Sequence, residues 1–356
     1  MRRLAERIFG NASALDRVYQ IVAYAVIMTA NDSVHAQDAG SGSGSKAGLS
    51  SMPARIGARS PVGKTECLCR RTQEGWLMNA PMIHTKPMGL TSKFFVDSSP
   101  EKWADTKKAG FETAELVFPP DMAEKPMLME AEKRREHILC AGLSILSAHM
   151  PYGTAVDPSS AGTEQRRQAI ALEKRVLDRV AAWHIPIAVM HASFEPIGDD
   201  ERSTRLSIAR DSIAEISAYA QKIGVTLAVE ELPRTCLGNC AEEMLYLTDT
   251  GRSAGIAFDF NHLLKETHVH FIDCCAPYIA TTHISDYDFA DEKHWMPGVG
   301  KVDWPYVIGY LQSKGYTGQW MFETYEQRAV PGRLCTPYMI MEAWQALMRS
   351  APGTAD

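Results

Sequence analysis

The sequence predicts a (β/α)8 barrel over roughly residues 88–350, and three observations lead there. Eight apolar runs of strand length alternate with helix-length stretches, a pattern that implies parallel strand pairing. No Gly-x-Gly-x-x-Gly follows the first run, which counts against the competing fold, an open doubly wound sheet. From the third run on, six in a row end in a carboxylate or an imidazole, as strands do where a barrel builds its site.

Taken in order, the first run is Lys93–Asp97. Ser99-Pro100-Glu101 then opens a helix with a capping side chain and a proline in its first turn, and Gly110 closes it. The segment Glu112–Phe118 contains the second strand, Thr113–Val117, and Ser144–His149 is the third. Glu164 to Trp183 has helical spacing and leads into Pro186–His191. Ser203 to Lys222 repeats that spacing, stops at Gly224 and feeds Val225–Glu230. Gly255–Asp259 and Ile279–His283 follow; a short helix from Pro305 to Lys314, ended by Gly315, precedes Gln319–Glu323.

Composition sets the class. The 356 residues are 45% hydrophobic and 22% charged, with a formal net charge of −6, the profile of a folded globular protein. Residues 1–87 hold 11 of the 37 Lys/Arg and 6 of the 43 Asp/Glu, a net of +5, so residues 88–356 carry −11. An acidic domain is a poor footprint for nucleic acid, and none is expected as a partner. Residues 18–30 are apolar, but 13 residues fall short of the about 20 that span a bilayer, so no membrane segment is expected. Arg2, Arg3, Arg7 and Arg17 precede that run and Val34-His35-Ala36 follows it, the outline of an export signal; Glu6 and Asp16 depart from that outline. A Gly/Ser tract at 40–45 and a Ser/Gly/Arg/Pro-rich stretch then lead to about Lys86. Residues 1–87 therefore read as a poorly ordered extension and 351–356 as a short tail. The eight cysteines, with Cys274 and Cys275 adjacent and Cys67-Leu-Cys69 lacking a partner pair, suit a reducing compartment, hence the cytoplasm.

The strand ends carry the chemistry. His149, His191, Glu230, Asp259, His283 and Glu323 each terminate a run that should be buried. Any one of them is as readily a rim salt bridge, but six together point to a metal site. Glu230, Asp259, His283 and Glu323 offer three oxygens and one nitrogen. That set suits one Mn²⁺, Mg²⁺, Co²⁺ or Zn²⁺, and the absence of thiolate argues against a purely structural zinc. Such a cation chelates a hydroxy-carbonyl compound and acidifies the neighbouring C–H, so that a carboxylate removes the proton.

Leu227-Ala-Val-Glu230-Glu-Leu-Pro-Arg234, Phe258-Asp259-Phe-Asn-His262, His283-Ile-Ser-Asp286, Gly315-Tyr-Thr-Gly318 with Phe322-Glu323, and His294-Trp-Met-Pro-Gly-Val-Gly300 together resemble the xylose isomerase-like TIM barrels. That superfamily includes the sugar phosphate isomerases/epimerases and endonuclease IV. The resemblance runs from about residue 90 to 348. It implies Glu230, Asp259, His283 and Glu323 as metal ligands, with Glu230 and Glu323 as the acid/base pair of a sugar or sugar phosphate isomerisation or epimerisation through an enediolate. It makes His262 a substrate-contacting residue, assigns His149 and His191 to the sugar pocket, and matches Glu115 to a Glu often found on the second strand. Arg234, just past its strand, is the candidate partner for a substrate phosphate or carboxylate, or else a surface ion pair. Tyr287, Asp288 and Trp295 stand where aromatic faces stack on a sugar, or pack the loop. The implied partner is a small carbohydrate, and a homo-oligomer is compatible with it.

The chain departs from the ketose 3-epimerase pattern at two positions: Phe289 replaces an Arg, and Cys236 replaces a second Glu. A lyase or dehydratase acting on a keto-sugar or hydroxy-carbonyl substrate is therefore the alternative, since it begins with the same proton abstraction. An endonuclease IV-like zinc phosphodiesterase is a further reading, carried by His149, His191 and His262, although Glu292 stands where that enzyme's Asp-x-His pair has its Asp and Asp291 is one residue out of register. The acidic charge opposes it. A barrel that only binds is disfavoured by the complete ligand set.

Overall fold

The structure, a computed structural model, describes residues 86–350 except 121 and 250. The extension up to residue 85, with its apolar run and Cys67-Leu-Cys69, and the tail at 351–356 lie outside the described residues. Eight parallel strands close into a barrel in sequence order, with β1 returning to pair with β8. They are β1 Met88–Thr91, β2 Thr113–Val117, β3 Ser144–His149, β4 Ile187–His191, β5 Thr226–Glu230, β6 Gly255–Asp259, β7 Ile279–Ile284 and β8 Trp320–Phe322. Helices α1 Pro100–Lys108, α2 Glu124–Cys140, α3 Thr163–Ala182, α4 Asp199–Lys222, α5 Ala241–Leu247, α6 His268–Cys275, α7 Trp304–Ser313 and α8 Pro337–Arg349 follow the strands. None of the described helices is long and apolar enough to cross a membrane.

The first strand differs from its expected place. Lys93–Asp97 is not a strand: Phe94 N–H donates to the Thr91 carbonyl at 3.0 Å, so the chain turns where the apolar run begins. Phe94 and Phe95 are apolar because they fill the core beneath α1, Phe95 lying edge-on to Trp103 at 5.5 Å. The true strand, Met-Gly-Leu-Thr, carries a glycine because space is short there. A Cβ on Gly89 would sit 2.3 Å from Met321 Cε and 2.5 Å from Thr113 Oγ1.

Helix starts follow local chemistry. Ser99 accepts from Lys102 N–H ahead of α1, and Thr336 accepts from Met339 N–H ahead of α8, each with a proline in the first turn. Trp103, Trp304, Trp320 and Trp344 are buried where the helices pack on the barrel.

Inside the barrel, the lower floor is polar as well as apolar. Gln319, just before β8, accepts from Thr113 Oγ1 at 3.1 Å and donates to Ser147 Oγ at 3.0 Å. Ser147 in turn donates to Glu115 at 2.8 Å. This hydrogen-bonded column runs from the floor toward the strand ends, satisfying groups whose burial would otherwise cost several kcal/mol.

The loop after β7 is held by one carboxylate. Asp286 accepts from the backbone N–H of Tyr287 (2.8 Å), Gly298 (2.8 Å) and Val302 (3.2 Å) and from the Trp304 indole (3.1 Å). Gly300 is required here, since a Cβ would lie 2.3 Å from Asp286 Oδ1 and from the Tyr287 carbonyl. Replacing Asp286 by Ala strands four donors, three of them buried, and the Asp286→Ala protein should be less stable by about 3–5 kcal/mol. Urea denaturation checks this; a loss under 1 kcal/mol would show that the loop is held by other means.

Candidate metal centre

The strand register sets the side chains. His191 pairs with Glu230, and Asp259 pairs with His283, so each pair projects inward side by side at the C-terminal rim. Glu323 follows β8 directly, its N–H donating to the Ile284 carbonyl at 3.0 Å.

The centre forms around His283, which is fully buried. Its Nδ1 lies 2.8 Å from Glu230 Oε1, 2.9 Å from Glu323 Oε2 and 3.8 Å from Asp259 Oδ2. Its Nε2 lies 3.1 Å from Glu115. The donor atoms of Glu230, Asp259, His283 and Glu323 all fall within 4.8 Å of one another. Ligands about 2.1 Å from an octahedral cation are spaced about 3 Å apart, close to the nearer of these separations. The residues also fit a cation electrostatically. Three carboxylates face one imidazole nitrogen, and Asp259 Oδ2 is buried with no hydrogen-bond partner. Groups of that kind are paired, protonated or coordinated.

Protonation follows the surroundings. Burial pushes the Asp259 carboxyl up to about 8; His262 and His283 oppose that and Glu323 adds to it. Burial raises Glu230 too, but His283, His149 and His191 outweigh it and hold the group well below the usual carboxylate range. Burial and His283 act on Glu323 in the same way, with the same result. Desolvation depresses His283, yet the Glu115, Glu323 and Glu230 carboxylates raise it well above an ordinary imidazole. Glu115, the second-strand Glu of the resemblance, thus fixes the far nitrogen of the candidate ligand, the arrangement that orients metal-bound histidines.

Two more donor groups flank this centre. His149 Nε2 and His191 Nε2 each lie 3.0 Å from Glu230 Oε2, and the three residues form one group. On the other side His262, Glu292 and His294 form a second. His262 Nε2 lies 3.5 Å from Glu292 and 3.6 Å from Asp259. Burial lowers His262, but Asp259, Glu292 and Glu230 prevail and lift it to about 10. The side chain of Asn261 positions the second group, accepting from the N–H of Lys293 at 2.8 Å and of His294 at 3.3 Å.

The structure therefore brings His149, His191 and His262 to the candidate ligands. Arg234 is placed differently. Its guanidinium is engaged by Glu195 (2.8 Å), Asp291 (2.7 Å) and Glu292 (3.1 Å). It reaches the centre only through Glu292, and an ion-paired network occupies its donors. Phe289, at the position of the missing Arg, is half exposed with a positive φ of 65° and packs against Tyr287. Sequence reasoning missed Lys93 and Tyr325, which border Glu323, and Glu231, whose carboxyl is buried, unpartnered and raised by burial. The acidic pair after a buried strand was a signal for Glu231. Lys93 and Tyr325 carried none.

Comparison with known proteins agrees with this architecture. Residues 103–345, more than half of the chain, match the family model of the xylose isomerase-like TIM barrel, and the chain belongs to that family. The uncharacterized protein y4fM of Sinorhizobium fredii is 24% identical over 274 residues, covering 65% of this chain and 85% of its own. Among solved structures, a D-tagatose 3-epimerase-like protein superposes with a TM-score of 0.59 at 19% identity, covering 74% of this chain and 97% of its own. The 3-keto-D-glucoside 4-epimerase of E. coli gives 0.59 at 19%, covering 73% and 98%.

The donor geometry generates a measurable consequence. Asp259 is protonated at neutral pH, and His283 is held protonated between carboxylates, so a divalent cation must displace protons to bind. Mn²⁺ binding to metal-free protein should release about one to two protons at pH 7, and affinity should rise from pH 6 to 8. Calorimetric titration in buffers of different ionisation enthalpy reads both. Asp259→Asn should abolish stoichiometric uptake in the same titration.

Proposed function

We propose that this chain is a divalent-metal-dependent sugar isomerase or epimerase, acting in the cytoplasm on a small carbohydrate by proton transfer next to a carbonyl. One observation carries the reading: each of the two glutamates divides its oxygens. Glu230 turns Oε1 to His283 and Oε2 to His149 and His191; Glu323 turns Oε2 to His283 and Oε1 toward the Tyr325 hydroxyl at 3.4 Å. One oxygen of each is thus committed to the centre and the other remains for chemistry.

Glu230, Asp259, His283 and Glu323 would hold the cation, which when bound supplies a Lewis acid that polarises the substrate carbonyl. The outer oxygens of Glu230 and Glu323 then act on the adjacent C–H. Both carboxylates are held ionised by the surrounding imidazoles, so each is a base without prior deprotonation. They stand on β5 and β8, with two strands between them, and approach the cleft from different directions. Removal by one and return by the other gives epimerisation; return to the neighbouring carbon gives isomerisation. A lyase would share the first step and then expel a β-oxygen. The imidazoles of His149 and His191 steady Glu230 and line the space beside it. The sugar epimerase character of the structural neighbours supports this reading.

The two flanking donor groups favour a second reading, hydrolysis of a phosphoester with two or three zinc ions. Metal analysis separates the two: about one divalent ion per chain supports proton transfer, and two or three zinc ions support hydrolysis. Chemistry tests the glutamates. The Mn²⁺-loaded protein, incubated in D2O with a panel of ketoses and 3-keto-glycosides, should place deuterium at the carbon next to the carbonyl. Glu230→Gln and Glu323→Gln should each slow that exchange by about 10²–10⁴-fold. Undiminished exchange in either variant would remove that residue from the mechanism.

A further inference from the structure

Lys93 leaves β1 at the mouth of the cleft, in the turn that replaces the expected first strand. Its Nζ donates to the Tyr152 hydroxyl at 2.5 Å and lies over the rings of Tyr152 (4.6 Å) and Tyr325 (5.8 Å). Tyr152 stacks on His191 at 4.5 Å, and Tyr325 sits against His294 at 4.8 Å. The ammonium therefore spans the cleft between the two flanking donor groups, beside Glu323. Among the described residues it makes no ion pair, and one of its three donors is used. The Tyr325 and Tyr152 hydroxyls and the Glu323 carboxylate keep it charged against the opposing effect of burial.

A half-buried ammonium with no carboxylate in ion-pair contact is costly, and two of its three donors are unused. Arg234, the cation that the sequence offers for an anionic substrate group, is already held by three carboxylates. We propose that Lys93, with the Tyr152 hydroxyl, forms an anion subsite, so that the substrate is a polyhydroxy carbonyl compound carrying a carboxylate or a phosphate. The inference rests on the reading above in that the polyol part of this substrate occupies the Glu230–Glu323 centre. The two tyrosine rings flank the ammonium on either side of that subsite.

Three probes of one carbon skeleton test this on the full chain loaded with Mg²⁺: sorbitol, gluconate and sorbitol 6-phosphate. Calorimetry on the wild type should show at least one of the two anions binding about tenfold or more tighter than sorbitol. Lys93→Met should bring that anion down to the level of sorbitol and leave sorbitol unchanged, while Lys93→Arg should retain most of the preference. The anion that loses more in Lys93→Met identifies carboxylate or phosphate as the natural group. Circular dichroism melts of both variants confirm that they are folded. Equal affinity of all three probes for the wild type, or anion binding unaltered in Lys93→Met, overturns the subsite and leaves the isomerase reading standing. Lys93-dependent anion binding with no sorbitol binding keeps the subsite and removes the sugar reading.

Discussion

Three carboxylates crowded against one buried imidazole nitrogen is an arrangement that a protein interior does not tolerate unaided. Its mutual repulsion is relieved by protons or by a cation, and much of the surrounding structure serves to keep it in place. Glu115 holds the far nitrogen of His283. Ser147 holds Glu115, and Gln319 ties Ser147 to the barrel floor. The column makes the orientation of His283 a property of three strands and of the chain entering β8. A rotation of the ring would break bonds down to the bottom of the barrel, a strong restraint in a low-dielectric interior.

A second set of restraints acts from above. Asp286 gathers the loop after β7, and Asn261 pins its middle through two backbone N–H groups. His294 consequently adopts a positive φ of 53° and faces the cleft. Arg234 bridges Glu195, Asp291 and Glu292, binding the loops after β4, β5 and β7 into one wall. Its part is to set the position of Glu292, and through it the flanking group that includes His262.

Most of the fold was legible because strand length, helix spacing and the polar residue at each strand end are local signals. Glu230 and Asp259 end their strands as the sequence implies, His283 stands one residue before the end of β7, and Glu323 follows β8 by one residue. β1 was not legible: it is four residues long and Gly89 lacks strand character because the barrel interior beside Met321 is tight, whereas Phe94 and Phe95 imitate a strand while filling the core. The partners of Arg234 lie 39 to 58 residues away, so in sequence it reads as an unpaired cation. Lys93 and Tyr325 sit on loops, where no periodicity marks a side chain aimed inward.

The barrel divides its labour by halves. All four candidate metal ligands come from β5 to β8, whereas Lys93, Glu115, Tyr152, His149 and His191 come from β1 to β4 and their loops. The C-terminal half thus carries the candidate metal centre and the His262, Glu292 and His294 group, and the N-terminal half supplies His149, His191, Glu115 and the Lys93–Tyr152 contact around it. Substitutions at Lys93 or Tyr152 therefore leave all four candidate ligands on their own strands.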